Sequence, residues 1–132
     1  MSTFIDTSAL VAVLDRDQPE HKRASRTWGK LLDGGQPLVT CSYVLVELIA
    51  LAQARLGTEA VHAIDDVIQP LLSIVWVNEE IHARAMAALR LAARRRLSLV
   101  DCAAFEVMRS LGIVRAFSID QHFRQAGFSV VP

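Results

Sequence analysis

The chain has 132 residues, a length that fits one domain with one hydrophobic core. Its 14 basic and 14 acidic side chains give a formal net charge of zero, which excludes nucleic-acid binding through the charge of the whole molecule. The two cysteines and four histidines form neither a disulfide framework nor a zinc-ligand pattern.

Short strands alternate with helical segments along the chain. Asp33-Gly34-Gly35 is typical of a helix end, and Asn78 and Ser98 are typical first caps of helices. This alternation predicts an α/β fold, with a parallel β-sheet flanked by helices on both faces, in a single domain over residues 1–132. The predicted strands are 4–5, 37–40, 73–77, 113–117 and 129–131, and the predicted helices are 8–14, 19–32, 42–55, 58–68, 78–94 and 98–112.

We expect a soluble cytoplasmic protein. The N-terminus lacks a basic stretch followed by an apolar segment, which is the pattern of a signal peptide. No uninterrupted apolar run approaches the ~20 residues that span a bilayer. Trp28 and Trp76 are expected in the core rather than on a surface that stacks bases.

An acid directly follows the first strand. The run Phe4-Ile5 ends at Asp6, and two hydroxyl residues, Thr7 and Ser8, precede the first helical pattern. Asp is a common helix N-cap, which would make Asp6 purely structural. An acid at the carboxyl end of a strand also points into the crevice where α/β sheets bind ligands. Both roles stay open for Asp6.

Glu47 interrupts the otherwise apolar helical segment 44–51. A helix that is hydrophobic on all sides is expected to be buried. A carboxylate in such a helix is costly unless it is paired, protonated or bound to a cation. A buried arginine or hydrogen bonds would satisfy Glu47 structurally, whereas a cation would make it a ligand.

Asp101 ends the sequence Ser98-Leu99-Val100-Asp101, which resembles a capping box whose acid bonds back to the start of the helix. Asp101 also shares an apolar helical face with Phe105 and Met108, because these residues are spaced i, i+4 and i+7. The positive N-terminus of a helix favours a carboxylate. A capping role and a role in a site are therefore compatible.

Asp120 follows the fourth predicted strand, in segment 118–123. An acid in such a place is most often a loop or cap residue. Two of the acids discussed here follow strands, and the other two lie on helices with apolar faces. One crevice could therefore collect Asp6, Glu47, Asp101 and Asp120.

Four carboxylates without zinc ligands favour a hard divalent ion. Mg²⁺ and Mn²⁺ prefer oxygen ligands and are typically held by carboxylates together with substrate phosphates. Without a cation the clustered acids would repel one another. One or two such ions can activate a water for in-line attack on a phosphodiester. The residues therefore predict metal-dependent phosphodiester hydrolysis.

The same residues resemble the PIN-domain ribonucleases of the VapC toxin type over essentially the whole chain. Each matching segment is short, but their order, spacing and α/β context together are specific. The pair Ser118-Ile119 departs mildly from the Thr-aromatic pair that the family has before its last acid. The matching segments are 4–10, 40–48, 98–102 and 118–123.

The resemblance implies a metal-dependent endoribonuclease that acts as the toxin of a toxin–antitoxin pair. It implies that hydroxyls such as Ser8 and Ser118 support the site. The implied partners are an RNA substrate, a second copy of the chain in a homodimer, and a cognate antitoxin that occupies the active-site groove. The implied ligands of the catalytic Mg²⁺ or Mn²⁺ are Asp6, Glu47, Asp101 and Asp120.

Other interpretations remain beside this one. A non-catalytic RNA- or protein-binding module on the same fold would predict that acids are missing, and none is. A phosphatase that forms an aspartyl-phosphate on Asp6 is disfavoured, because Ser8 stands where such enzymes usually carry a second acid.

Basic residues also cluster around the end of the predicted helix 78–94 and lie close to the last acid. His122 could act as an acid or base, although its place beside Phe123 favours a structural role. The arginines of segment 90–96 either interact with the helix dipole and solvent or contact a phosphate. They are Arg90, Arg94, Arg95 and Arg96.

Overall fold

The structure is a computed structural model that describes residues 1–92 and 96–132. Within these residues, strands pair in parallel into one sheet, which confirms the predicted fold class. The strands are β1 (Thr3–Ile5), β2 (Leu38–Cys41), β3 (Ser73–Val75), β4 (Arg115–Phe117) and β5 (Ser129–Val131). Their order across the sheet is β3-β2-β1-β4-β5.

Helices follow the strands and cover both faces of the sheet. None of the helices in the described ranges is long and apolar enough to cross a membrane. They are α1 (Thr7–Leu14), α2 (His21–Asp33), α3 (Ser42–Arg55), α4 (Thr58–Ala63), α5 (Glu79–Leu91), α6 (Leu99–Leu111) and α7 (Gln121–Gln125).

The strand order places a ligand-binding crevice beside the central strand. The chain moves outward from β1 to β2 and β3, then returns to the other side of β1 with β4 and β5. The connections therefore leave β1 and β4 in opposite directions, which opens a crevice at their carboxyl ends. Asp6 follows β1 directly, and Ser118 follows β4 directly.

Alternate residues of the central strands pack into two apolar cores, one on each face of the sheet. Ile5 and Phe117 pack on one face with Leu10 of α1. Phe4 and Ala116 pack on the other face with residues of α6 and α7. Every residue of β1 and β2 is buried, as expected for interior parallel strands covered on both sides.

Helix α3 serves both cores, which explains its apolar sequence and corrects one prediction. It contributes Leu48 to one core and Val44 to the other. The expectation that this helix is buried on every side is wrong, because Val46 is 64% exposed and Ala50 is also exposed. These two residues lie one turn apart on a strip that neither core covers.

Several boundaries differ from the prediction for local reasons. The predicted helix 58–68 ends as α4 at Ala63 and continues as a wider π turn over Ile64–Ile68. The predicted helix 78–94 ends as α5 at Leu91, and Arg94 lies outside the described residues. Helix α7 was not predicted, since its few residues carry no periodic pattern. Trp76, predicted in the core, is 66% exposed.

Candidate active site at the carboxyl edge of the sheet

The predicted acids line one cleft at the crevice between β1 and β4. The cleft has a volume of about 410 Å³ and also contains Ser8, His122 and two arginines. Its acids come from the ends of two strands and from two helices, α3 and α6. They are Asp6, Glu47, Asp101 and Asp120.

Asp6 caps α1 and lines the cleft at the same time, so the capping role does not exclude a role in a site. Its side chain is buried, with the residue 4% exposed, and it accepts a hydrogen bond from the Ser8 backbone N–H. Two hydroxyls donate to Asp6 Oδ2, from Ser8 Oγ at 2.6 Å and from Ser118 Oγ at 2.8 Å. These bonds fix the carboxylate at the bottom of the cleft.

Ser8 and Ser118 are themselves held by the backbone that follows β4. The Ile119 N–H donates to Ser8 Oγ at 3.0 Å, and the Asp120 N–H donates to Ser118 Oγ at 3.0 Å. Each hydroxyl therefore accepts a hydrogen bond from a backbone N–H and donates one to Asp6. This network joins the end of β1 to the end of β4.

Burial raises the pKa of Asp6 from 3.8 to about 6, and the negative charge of Asp101 adds to the rise. The hydrogen bonds from Ser8 and Ser118 lower the pKa of Asp6 but do not compensate for burial. The site therefore holds a carboxylate whose ionised form is destabilised, as is common at functional sites.

Asp101 occupies the first turn of α6 and completes the predicted capping box. The Asp101 N–H donates to Ser98 Oγ at 3.0 Å, and Asp101 Oδ2 accepts from the Ser98 N–H at 3.3 Å. The residue is buried, and Phe105 and Met108 on the same helical face are buried as well. The predicted apolar face is confirmed.

Asp120 caps α7, and its second oxygen faces His122. Asp120 Oδ1 accepts from the His122 N–H at 2.9 Å. The imidazole Nδ1 of His122 lies 3.0 Å from Asp101 Oδ2 and 3.2 Å from Asp120 Oδ2. His122 therefore links two of the acids, which its sequence position beside Phe123 did not reveal.

Glu47 approaches the cleft from α3 and is only half-buried. Among the described residues, no Arg, Lys or His nitrogen lies within 4.0 Å of its carboxylate. A dedicated arginine partner, the structural alternative considered for Glu47, is therefore absent from the described part of the chain.

The cleft also carries positive charge at Arg55 and Arg96. Arg96 has a left-handed backbone conformation, with φ 52°, which is unfavourable for a residue with a Cβ. Arg90 is exposed and does not line the cleft. The other two arginines of the predicted cluster, Arg94 and Arg95, lie outside the described residues.

The donor set suits a divalent ion. Asp101, Asp120 and His122 each offer one ligand atom, and these atoms lie within 4.8 Å of one another. The carboxylate oxygens of this group are ligands that suit Mg²⁺ or Mn²⁺. Thr7, which lines the same cleft, has a buried Oγ1 without a hydrogen-bond partner among the described residues. That hydroxyl fits a site that is completed by a ligand.

Replacing Ser98 by alanine should lower the free energy of unfolding by about 1 kcal/mol, because it removes the side-chain cap of α6. The change also removes the hydrogen bond from the Asp101 N–H to Ser98 Oγ. Urea denaturation measures the loss. Ser110→Ala on the exposed side of the same helix is the matched control. Equal stability of the two variants would contradict a stabilising cap at Ser98.

Comparisons with known proteins give consistent matches. The PIN domain family model matches residues 3–129. The 23S rRNA-specific endonuclease VapC20 of Mycobacterium tuberculosis is 31% identical over 127 residues, which cover 95% of this chain and 94% of that protein. A VapC ribonuclease of Aquifex aeolicus is 22% identical over 128 residues, which cover 97% of this chain and 94% of that protein.

Solved structures match over nearly the full length. The crystal structure of Mycobacterium tuberculosis VapC20, described as a sarcin-ricin loop cleaving toxin, has a TM-score of 0.88 at 29% identity and covers 98% of this chain and 99% of that one. The FitAcB structure from Neisseria gonorrhoeae has a TM-score of 0.71 at 17% identity, covering 100% and 97% of the two chains. At that identity the second match concerns the fold alone.

Proposed function

This chain belongs to the PIN-domain family, and from that premise we propose that it is a divalent-metal-dependent endoribonuclease, the toxin of a toxin–antitoxin pair. Residues 1–132 would form one such nuclease domain. The observation that carries the proposal is the convergence of carboxylates from β1, α3, α6 and the end of β4 on one cleft. Acids gathered in this way repel one another unless a cation joins them.

We assign the metal-binding and catalytic roles to the acids of the cleft, with Mg²⁺ or Mn²⁺ as the cofactor. When bound, the ion supplies charge neutralisation and activates a water for phosphodiester hydrolysis. Ser8 and Ser118 hold the Asp6 carboxylate in one orientation, and His122 holds two other acids together. The proposed metal and catalytic residues are Asp6, Glu47, Asp101 and Asp120.

Arg55 and Arg96 line the cleft beside the acids. A guanidinium forms paired, charge-assisted hydrogen bonds with phosphate oxygens. We therefore assign to these arginines the contact with phosphates next to the cleaved bond. They would offset the repulsion between an RNA backbone and the acids.

The substrate that we propose to test first is ribosomal RNA. The relative that covers almost the whole chain at 31% identity is a 23S rRNA-specific endonuclease. The test is incubation of purified ribosomes and of total RNA with the protein in Mg²⁺, in Mn²⁺ and in chelator, followed by sequencing of the new RNA ends. Cleavage at defined positions only with metal is expected. Metal-independent binding without cleavage would favour the non-catalytic module.

We propose a homodimer that uses the exposed apolar strip of α3. Val46 and Trp76 are 64% and 66% exposed. The segments that carry these two residues are joined by a hydrogen bond. Val77, next to Trp76, donates its N–H to Ser42 Oγ, and Ser42 lies one turn before Val46 on α3. Large exposed apolar side chains close together are typical of protein interfaces.

The double variant Val46→Glu/Trp76→Glu should raise the dimer dissociation constant at least about tenfold, since it places two charges in an apolar interface. Analytical ultracentrifugation measures the change. Leu91→Glu, at an apolar side chain that is 91% exposed on α5, is the control. A dimer that resists the double variant would place the interface elsewhere.

We also propose a cognate antitoxin as a protein partner of the cleft. FitAcB and a VapBC2 complex from Rickettsia felis share the fold at TM-scores of 0.71. A basic antitoxin side chain could pair with the acids of the cleft and exclude RNA. Co-purification with the product of an adjacent reading frame, and loss of cleavage in the complex, would test this partner.

A further inference from the structure

A second concave surface lies between α2 and the edge of the sheet at β5, and it is distinct from the acidic cleft. This groove has a volume of about 500 Å³ and is lined by the basic side chains of Arg23, Arg26, Lys30 and Arg115. The wall also contains apolar atoms of Leu31, Val131 and Pro132. The protein as a whole has no net charge, so this concentration of positive charge is local.

The basic residues of α2 occupy one helical face. Arg23, Arg26 and Lys30 are spaced i, i+3 and i+7, which brings them onto one side of the helix. Like charges at i and i+4, as in Arg26 and Lys30, destabilise a helix. In the described ranges, none of these side chains forms an ion pair with an acid. The arrangement costs stability and leaves cations free for a polyanion.

Arg115 is held ready for an anion. Its Nε donates to Thr3 Oγ1 at 2.9 Å, and its Nη2 donates to Gln36 Oε1 at 3.0 Å. Both partners are neutral, so they fix the position of the guanidinium without offsetting its positive charge. Ordering of the side chain before binding lowers the entropy cost of a contact.

The start of α2 lies beside the acidic cleft. The ring of His21, at the start of α2, forms a hydrogen bond of 2.8 Å between its Nδ1 and the Ala12 carbonyl oxygen. Ala12 and Gln18 line the cleft. From Arg23 to Lys30, α2 extends by roughly 10 Å at 1.5 Å per residue. An RNA strand that leaves the cleft can therefore continue along the basic face of α2.

We propose that this groove binds the phosphate backbone of the RNA substrate at a distance from the cleaved bond. The inference rests on the proposed nuclease function, since it takes the bound RNA as the polyanion. A phosphate at every nucleotide matches several cations in one groove, and guanidinium groups suit phosphate oxygens. The apolar wall offers a surface for riboses and bases. The groove thus lengthens the RNA footprint beyond the cleft and adds affinity without reading sequence.

The test measures RNA binding in chelator, where metal-dependent cleavage cannot occur. A single-stranded RNA of about 20 nucleotides is titrated by fluorescence anisotropy at several salt concentrations. The triple variant Arg23→Gln/Arg26→Gln/Lys30→Gln should bind at least about tenfold more weakly. Its slope of log affinity against log salt should shrink by about 2, because each single-strand phosphate contact contributes about 0.7.

Single changes provide the matched control. Arg26 lines the groove, whereas Arg90 is an exposed arginine on α5 that lines neither the groove nor the cleft, and the two variants compared are Arg26→Gln and Arg90→Gln. We expect the first to weaken binding and reduce the salt slope, and the second to leave both unchanged. Circular dichroism of each variant checks that α2 stays folded. Equal RNA affinity and slope for wild type and the triple variant would overturn the proposal, even if the groove then bound an acidic peptide.

A cleavage assay distinguishes a failure of this inference from a failure of the proposed nuclease function. With metal, the triple variant should show a raised KM and an unchanged kcat on long RNA. It should match wild type on an oligonucleotide of about 5 nucleotides that fills only the cleft. If wild type cleaves nothing but the triple variant still loses RNA affinity, the nuclease proposal fails and the groove stands. If long and short RNA respond equally, the groove is not part of the RNA path.

Discussion

Replacing Asp6 by asparagine is expected to abolish RNA cleavage, lowering kcat/KM by more than about 100-fold. Asparagine keeps the size, the cap of α1 and the acceptor for Ser8 and Ser118. It removes the negative charge that a divalent ion requires. Residues that merely support metal ligands already cost about 10- to 100-fold when they are changed. Loss of Asp6 as a proposed ligand should therefore cost more.

The measurement is initial-rate cleavage of the RNA identified as substrate, in Mg²⁺ and in Mn²⁺. Asp101→Asn is expected to behave in the same way, although it also weakens the start of α6. Asp66→Asn, at an exposed acid away from the cleft, is the control with the same chemical change. Undiminished cleavage by folded Asp6→Asn protein in chelator would refute the metal-dependent mechanism.

The convergence of the acids could be predicted from the sequence because three of the four acids carry a local signal and Asp120 follows a strand. Asp6 ends an apolar run, Asp101 completes a capping box, and Glu47 interrupts an apolar helix. The parallel sheet then brings the carboxyl ends of its strands to one edge. Local pattern and fold class were enough to place them at one crevice.

Features that depend on distant packing could not be predicted. His122 meets Asp101 because α7 packs near the start of α6, yet α7 is too short for a periodic pattern. Arg115 meets the basic face of α2 only through the order of the strands. The exposed strip at Val46 has the same apolar composition as the buried faces of α3. A sequence pattern cannot distinguish an apolar face that packs within the chain from one left for a partner.

In the metal-free protein, the contribution of Asp6 to the unfolding free energy should fall by about 3 kcal/mol as the pH rises from about 4 to about 6.5. The pKa of this carboxyl is about 6 in the folded state and 3.8 ordinarily. Between these values the folded state binds more protons than the unfolded chain, so stability falls as the pH rises. Each pH unit in that window corresponds to about 1.4 kcal/mol. The stabilisation by the bound proton is complete only below the ordinary pKa of the carboxyl.

Asp6→Asn tests the origin of this slope, because an amide does not titrate. In chelator the variant should be more stable than wild type at pH 7 and should lack the Asp6 component of the pH dependence. Urea denaturation at a series of pH values measures both. Asp66→Asn should keep the wild-type profile, since that acid is exposed.

The stabilising effect of divalent metal should differ between the two proteins. A ligand present at 100 times its dissociation constant stabilises the folded state by about 2.7 kcal/mol. Saturating Mn²⁺ should therefore stabilise wild type at pH 7 and have much less effect on Asp6→Asn, which has lost a proposed charged ligand. The same substitution would then stabilise the protein without metal and abolish cleavage with metal. This combination is expected of a carboxylate kept for function at a cost in stability. Equal metal stabilisation of both proteins would mean that Asp6 is a cap and nothing more.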